Sequence, residues 1–146
     1  MRQIAQQLLW LGNAGDARDA SRLIDSGIEA LVDLAVEEPP PRLPRQIAYC
    51  RFPLTDGAGN PPGLLATAVF ATACLIRHRV PTLVCCGSGM SRSPAIVAVA
   101  LAVVRGDSPE DALRQIVAGC PHDVSPLLWS DVVSACRRGP EPELPM

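Results

Sequence analysis

The chain has 146 residues, 48% of them apolar, with 15 acidic against 13 basic side chains and a net charge of −2, which suits one domain with a substantial core. Every basic residue is arginine, and the absence of lysine excludes a Walker-type phosphate loop and Schiff-base chemistry, both of which need that amine. The arginines are scattered, and two Phe, two Trp and one Tyr offer little for stacking bases, so nucleic acid is not an expected partner.

In chain order, the N-terminal Met1-Arg2-Gln3-Ile4-Ala5-Gln6-Gln7 is too polar for a secretory core. A strand is predicted near 7–11, a helical stretch near 14–26, and a buried strand over 28–35. The proline-rich 37–44 reads as an exposed, extended connector, stiff enough to need no partner. A strand at 46–51 leads into the turn-rich segment from Phe52 to Gly63, and a helix follows near 63–78. Val80-Pro81-Thr82-Leu83-Val84 reads as another buried strand. The remainder is helical: 94–105, 108–118 with its Ser-Pro-Glu-Asp start, and 126–138. The apolar run 95–104 is half the length of a membrane span, so no membrane partner is expected. The expected fold class is α/β: one domain, 1–138, with a mostly parallel central sheet of about four to five strands and helices on both faces. Residues 139–146 are expected to form a disordered tail.

Between the strand at 80–85 and the helix at 94–105 lies Cys86-Gly87-Ser88-Gly89-Met90-Ser91-Arg92-Ser93-Pro94. Gly87 and Gly89 permit backbone conformations in which successive N–H groups turn inward on an anion. The helix N-terminus adds unpaired donors and partial positive charge at the same point. Ser93 near the cap and Pro94 in the first turn fit a helix start. Arg92 supplies a planar fork for two phosphate oxygens. Cys86, at the loop's entrance, lies in that positive field, which favours the nucleophilic thiolate.

The run from Cys86 to Arg92 resembles the C-x5-R signature of the cysteine-based protein tyrosine phosphatase superfamily, and the Ser93-Pro94 that follows resembles its dual-specificity branch. Weaker similarity extends over most of the chain, from Leu8-Leu9-Trp10-Leu11-Gly12-Asn13 to the C-terminal helices. The resemblance implies a phosphatase fold and a phosphomonoester substrate, such as a phosphorylated protein. It makes Cys86 the nucleophile and Arg92 the oxyanion holder, with Gly87, Ser88, Gly89, Met90 and Ser91 as the substrate-binding cradle. It assigns Ser93 to stabilising the thiolate as it leaves. The chemistry requires no cofactor and no metal. One departure stands out: Cys85 occupies the place where the family usually has a histidine that organises the loop. Slower turnover at neutral pH is the expected consequence; read by itself, Cys85 is a small buried strand residue.

The leaving oxygen needs an acid, and Asp56 is the candidate. It lies in a loop after a strand, and loops at the carboxyl ends of parallel strands gather in one crevice. Its position thirty residues before Cys86 resembles that of the family's acid loop. Asp-Gly alone would only signal a turn. Asn60 is a candidate brace for that loop, and Arg51 a candidate neighbour. Asp33, on a buried strand, is the rival acid, although such an aspartate more often satisfies backbone donors. Asp16, Asp19, Asp107, Asp111 and Asp131 fall in or beside helices as capping or solvated groups. His78 is expected to end a helix at the surface and His122 to sit in a loop; neither has a ligand-spaced neighbour. Trp129 is expected to fill core.

Six cysteines without a framework imply a reducing, cytoplasmic setting. Two alternatives to a phosphatase stay open. One is a phosphate-binding module without useful turnover. The other is a thiol redox or sulfurtransferase protein pairing Cys86 with Cys85, Cys120 or Cys136.

Overall fold

The computed structural model describes residues 1–4 and 7–137; the segment 139–146, expected to be disordered, lies outside the described residues, as does Arg138. Among the described residues the strands are β1 (Arg2–Gln3), β2 (Leu9–Asn13), β3 (Ala30–Ala35), β4 (Ala48–Leu54) and β5 (Thr82–Cys86). The helices are α1 (Ala14–Ala17), α2 (Ala20–Asp25), α3 (Pro62–Arg77), α4 (Arg92–Arg105), α5 (Pro109–Val117) and α6 (Pro126–Arg137). The sheet order is β1-β2-β5-β3-β4. Strands β2, β5, β3 and β4 are parallel, and β1 pairs antiparallel with β2. This is the expected α/β domain.

Alternation along β5 organises both cores, because successive strand side chains point to opposite faces. Leu83 and Cys85 join Ala17, Leu23, Ile28, Leu31 and Ile47 in a small cluster under α1 and α2. Val84 and Cys86 face the other way, into the main core with Val32, Leu34, Ile96 and Leu101. Helix α4 is buried continuously from Arg92 to Ala102, which explains its unbroken apolar run. It ends where Gly106 takes the left-handed conformation at φ +77°.

Three local expectations need correction. The helical stretch 14–26 is two helices, because Asn13 caps α1 in a capping box with Asp16, and the Asp19 side chain then accepts from the Arg22 N–H to start α2. Such short polar side chains compete with helix continuation. Helix α4 begins at Arg92, two residues before Pro94, with Ser91 at the N-cap position. The Ser93 hydroxyl is therefore inside the helix and does not cap it. Strand β4 starts at Ala48 and runs on to Leu54, ending two residues before Asp56.

The parallel strands end together: β2 at Asn13, β3 at Ala35, β4 at Leu54 and β5 at Cys86. Their following loops converge at one edge of the sheet, where a parallel α/β sheet binds its ligands. The loops after β3, β4 and β5 carry Glu37, Asp56 and the glycine-rich cradle.

Candidate active site

Cys86 is the last residue of the central strand β5 and is 1% exposed. Its Sγ lies 3.1 Å from the Ser93 Oγ, which the first turn of α4 presents from below. A hydroxyl at this distance from a sulfur can donate to it when the sulfur is a thiolate.

From Gly87 to Ser91 the chain bends over this pair and is tied to its surroundings on several sides. The Gly87 carbonyl accepts from the Ala14 N–H at 3.3 Å, and the Met90 carbonyl accepts from the Asp123 N–H at 2.9 Å. Both contacts tie the loop to the chain around it, one to the start of α1 and one to the segment before α6. One weaker contact, 3.3 Å, joins the Met90 N–H to the Ser88 Oγ. Gly89 adopts φ +78°, and a Cβ there would lie 2.8 Å from the Gly12 carbonyl oxygen. Glycine is thus required twice over at this position, by conformation and by close approach.

Arg92 is 5% exposed and extends along the cradle floor. Its Nη1 donates to Leu54 O at 2.8 Å and to the Glu37 Oε2 at 2.7 Å, while Nη2 donates to the Glu37 Oε1. The hydrogen bonds to Glu37, with the charges of Cys86 and Asp56 behind them, raise the arginine pKa against the cost of burial. In return the guanidinium holds the Glu37 carboxyl down at about 2. Among the described residues, the Arg92 Nε is the buried side-chain nitrogen or oxygen without a hydrogen-bond partner. The Nε–H and the remaining Nη2–H lie on one edge of the guanidinium and point the same way. That edge is the fork that grips two oxygens of a planar or tetrahedral anion. Buried donors of this kind ordinarily have partners, so an unpartnered one marks a ligand position.

Asp56 reaches the cradle from the loop after β4. Its Oδ1 accepts from the Ser91 Oγ at 2.5 Å, and the same Oγ accepts from the Ser125 N–H at 3.1 Å. Asn60 is 7% exposed and braces this loop. Its Oδ1 accepts from the Thr55 N–H at 2.8 Å, and its Nδ2 donates to Thr55 O at 2.9 Å and Gly57 O at 3.3 Å. The carboxylate is thus held at the rim by a side chain of the cradle. Asp33 is otherwise engaged: it accepts from the Tyr49 hydroxyl at 2.7 Å and from the Ala35 N–H at 3.2 Å.

Cys85, adjacent in sequence to Cys86, faces the opposite side of the sheet in the small cluster. Burial, then the nearby charge of Asp33, pushes its thiol well above the usual range, so it stays protonated. A Cys85–Cys86 disulfide would have to join two faces of the sheet, a geometry this strand does not offer. All six cysteines are free. Of the remaining candidates, His78 is the exposed C-cap of α3 and His122 is exposed in the loop before α6. Trp129 packs, partly buried, against the main core.

The structure therefore brings Cys86, Ser93, Arg92, Ser91 and Asp56 into one connected site, with Ser88 and Met90 exposed on the cradle's outer wall. The sequence reading missed Glu37, which it placed in a solvated connector. The signal available was general: a buried arginine needs an anionic partner, but nothing local singles out one acid among fifteen.

No protein-family model matches the chain. Human dual specificity phosphatase 28 is 28% identical over 146 residues, covering 93% of this chain and 82% of that protein. The crystal structure of human DUSP28 superposes with a TM-score of 0.82 at 26% identity, covering 94% of this chain and 96% of that one. The structure of DUSP15 gives a TM-score of 0.75 at 25% identity, covering 92% of this chain and 85% of that one. PTPMT1, at 20% identity and a TM-score of 0.73, shares the fold. The chain is thus similar in fold and sequence to dual-specificity phosphatases of the cysteine-based superfamily that its C-x5-R loop resembles.

Proposed function

We propose that the protein is a cysteine-dependent phosphomonoester hydrolase, a dual-specificity-like protein phosphatase that works through a phosphocysteine. The observation that carries the reading is the open Nε–Nη2 edge of buried Arg92 in the same small cradle as Cys86. Phosphate held on that edge and by the loop amides places its phosphorus over the sulfur. The Cys86 thiolate attacks in line, forming the S–P bond as the bond to the leaving oxygen breaks. Asp56 gives its proton to that oxygen. Water, deprotonated by the same carboxylate, then attacks the phosphocysteine; phosphate leaves and the sulfur departs as a thiolate stabilised by the Ser93 hydroxyl. Positioning and charge stabilisation by Arg92 and the amides supply most of the acceleration.

The substrate class is a phosphorylated protein or a small aryl phosphomonoester. Ser88 and Met90 add no positive charge to the cradle wall, so nothing in it favours a multiply phosphorylated ligand. Among the described residues no helix is long and apolar enough to cross a membrane. We place the enzyme in a reducing, cytoplasmic compartment, in keeping with its six free thiols. A redox role for a Cys85–Cys86 dithiol is disfavoured by Cys85, which is buried on the other face and held protonated.

The test is hydrolysis of an aryl phosphate under reducing conditions by wild type, Cys86→Ser and Asp56→Ala. Cys86→Ser is expected to abolish turnover and Asp56→Ala to lower it by about 10²–10⁴-fold. Full activity in Cys86→Ser refutes the mechanism. Phosphopeptide binding without turnover in wild type would identify the protein as a phosphate-binding module.

A further inference from the structure

On the β2 side of the cradle lies an open recess of about 310 Å³, within the size range of ligand clefts. The cradle segment 88–90 forms one of its walls, and Leu11, Gly12, Cys120 and Pro121 contribute others. These parts are fixed to one another. The Ala14 N–H holds Gly87 O, the Asp123 N–H holds Met90 O, and Gly89 packs against the Gly12 carbonyl. The recess therefore keeps its place relative to the nucleophile.

Strand register gives that place a scale. Asn13, the last residue of β2, also lines the recess and pairs with Cys86, the last residue of β5. Leu11, two residues back on β2, pairs with Arg2 on β1. Neighbouring strands lie about 4.8 Å apart, so the recess spans a zone about 5–10 Å from the Cys86 backbone. In an extended peptide, side chains two residues apart point the same way and are about 6.5–7 Å apart. A substrate whose phosphorylated side chain enters the cradle thus presents the side chain two positions along to the recess.

The lining beside the cradle is apolar. Met90 is among the exposed large apolar side chains, and Pro121 is exposed beside the half-buried Cys120; a free cysteine behaves as a small hydrophobe. Asp16, which also lines the recess, is already engaged: its Oδ2 accepts from the Asn13 N–H at 2.9 Å and its Oδ1 from the Arg22 Nη1 at 3.4 Å. Arg2 stands farther back, opposite Leu11 rather than Asn13, and it also lines a neighbouring cavity with Arg105 and Gln115. A side chain next to the phosphate meets the methionine, proline and thiol first.

We propose that this recess is a specificity subsite, which takes an apolar side chain two residues from the phosphorylated residue of a protein substrate. The proposal rests on the phosphatase reading above and narrows its substrate class to phosphorylated segments with an apolar residue at that spacing. Met90, unbranched and adaptable, suits a wall that admits aliphatic and aromatic side chains alike.

The experiment is kcat/KM on phosphotyrosine peptides that carry alanine on both sides and a single leucine moved from position −3 to +3, with an aryl phosphate as reference. Wild type is expected to gain about tenfold from leucine at −2 or +2 and little elsewhere, the scale of partly burying one aliphatic side chain. Cys120→Trp, which fills the recess, is expected to abolish that gain while aryl phosphate and all-alanine peptide turnover stay within about twofold of wild type. Pro121→Trp fills it from an exposed position and is expected to do the same if Cys120→Trp does not fold. Cys120→Ala is expected to keep the gain, since the thiol itself takes no part. Equal rates for every leucine position overturn the proposal, as does a gain that survives both tryptophan variants. A gain from glutamate in place of leucine overturns it in favour of an acidic residue on Arg2. Wild type inactive on every substrate removes the phosphatase reading, and calorimetric binding of the same peptides then decides the subsite: tighter binding with leucine at −2 or +2 supports it, and no dependence on position removes it.

Discussion

Replacement of Ser91 by alanine tests how the acid is held. The Ser91 Oγ is shared between the Asp56 carboxylate, to which it donates at 2.5 Å, and the Ser125 N–H, from which it accepts at 3.1 Å. A hydrogen bond to a charged group contributes about 1.5–3 kcal/mol, and the exposure of Asp56 argues for the lower end. At about 1.4 kcal/mol per tenfold, the seated position of the acid loop loses about an order of magnitude in population. Only a reaction that needs the proton registers that loss. The assay is kcat for Ser91→Ala over a series of aryl phosphates whose leaving phenols span a wide range of acidity. About tenfold slower turnover is expected for poorly departing phenols and little change for those that depart without protonation, with Asp56→Asn showing the same trend more steeply. The orphaned Ser125 N–H also costs about 1 kcal/mol of stability, a lowering of Tm by about 2–4 °C. A rate penalty equal across the series would refute the reasoning, since it would place Ser91 in phosphate binding and not in acid positioning.

Gly89→Ala must hold alanine at φ +78° with its Cβ against the Gly12 carbonyl oxygen. A loss of at least about 1–2 kcal/mol is expected in urea unfolding, and an unchanged midpoint would remove the close-approach argument. Glu37, held at about 2 when folded against an ordinary 4.5, contributes stability that is present above about pH 4.5 and lost as the pH falls toward 2. The Tm difference between wild type and Glu37→Gln is therefore expected to be flat from pH 6 to 8 and to close between about 4.5 and 2; closure at neutral pH would contradict the pairing. Because burial keeps Cys85 protonated, mass mapping of native protein alkylated at pH 8 is expected to find Cys85 unmodified and Cys86 labelled. Comparable labelling at both would restore the vicinal-thiol chemistry.

Local order along the chain was readable wherever a short-range rule controls it. Periodicity placed β3, β5, α3 and α4 close to their observed bounds because these elements are buried and their side-chain pattern follows from backbone geometry alone. The loop from Cys86 to Arg92 was equally legible as the turn between β5 and α4, since its conformation is set by seven consecutive residues. Where the rule was less local, the reading slipped. Asn13 and Asp19 divide what looked like one helix, and α4 begins at Arg92 because Ser91 and Ser93 use their hydroxyls on Asp56 and Cys86 rather than on the helix cap.

The sequence by itself determined the α/β class, the glycine-rich loop between β5 and α4 with Cys86 and Arg92 at its ends, and a loop after β4 that carries Asp56. Only the tertiary structure decided that Cys85 turns away from the site, that Ser91 seats Asp56, and that Glu37 grips Arg92 across 55 residues of chain. The reason is range. Turn and strand preferences act over a few residues, whereas the partner of a buried charge is chosen by the register of parallel strands. That register pairs Ala35 with Leu54 and Asp33 with Cys85, which brings the ends of β3, β4 and β5 together at one end of the sheet.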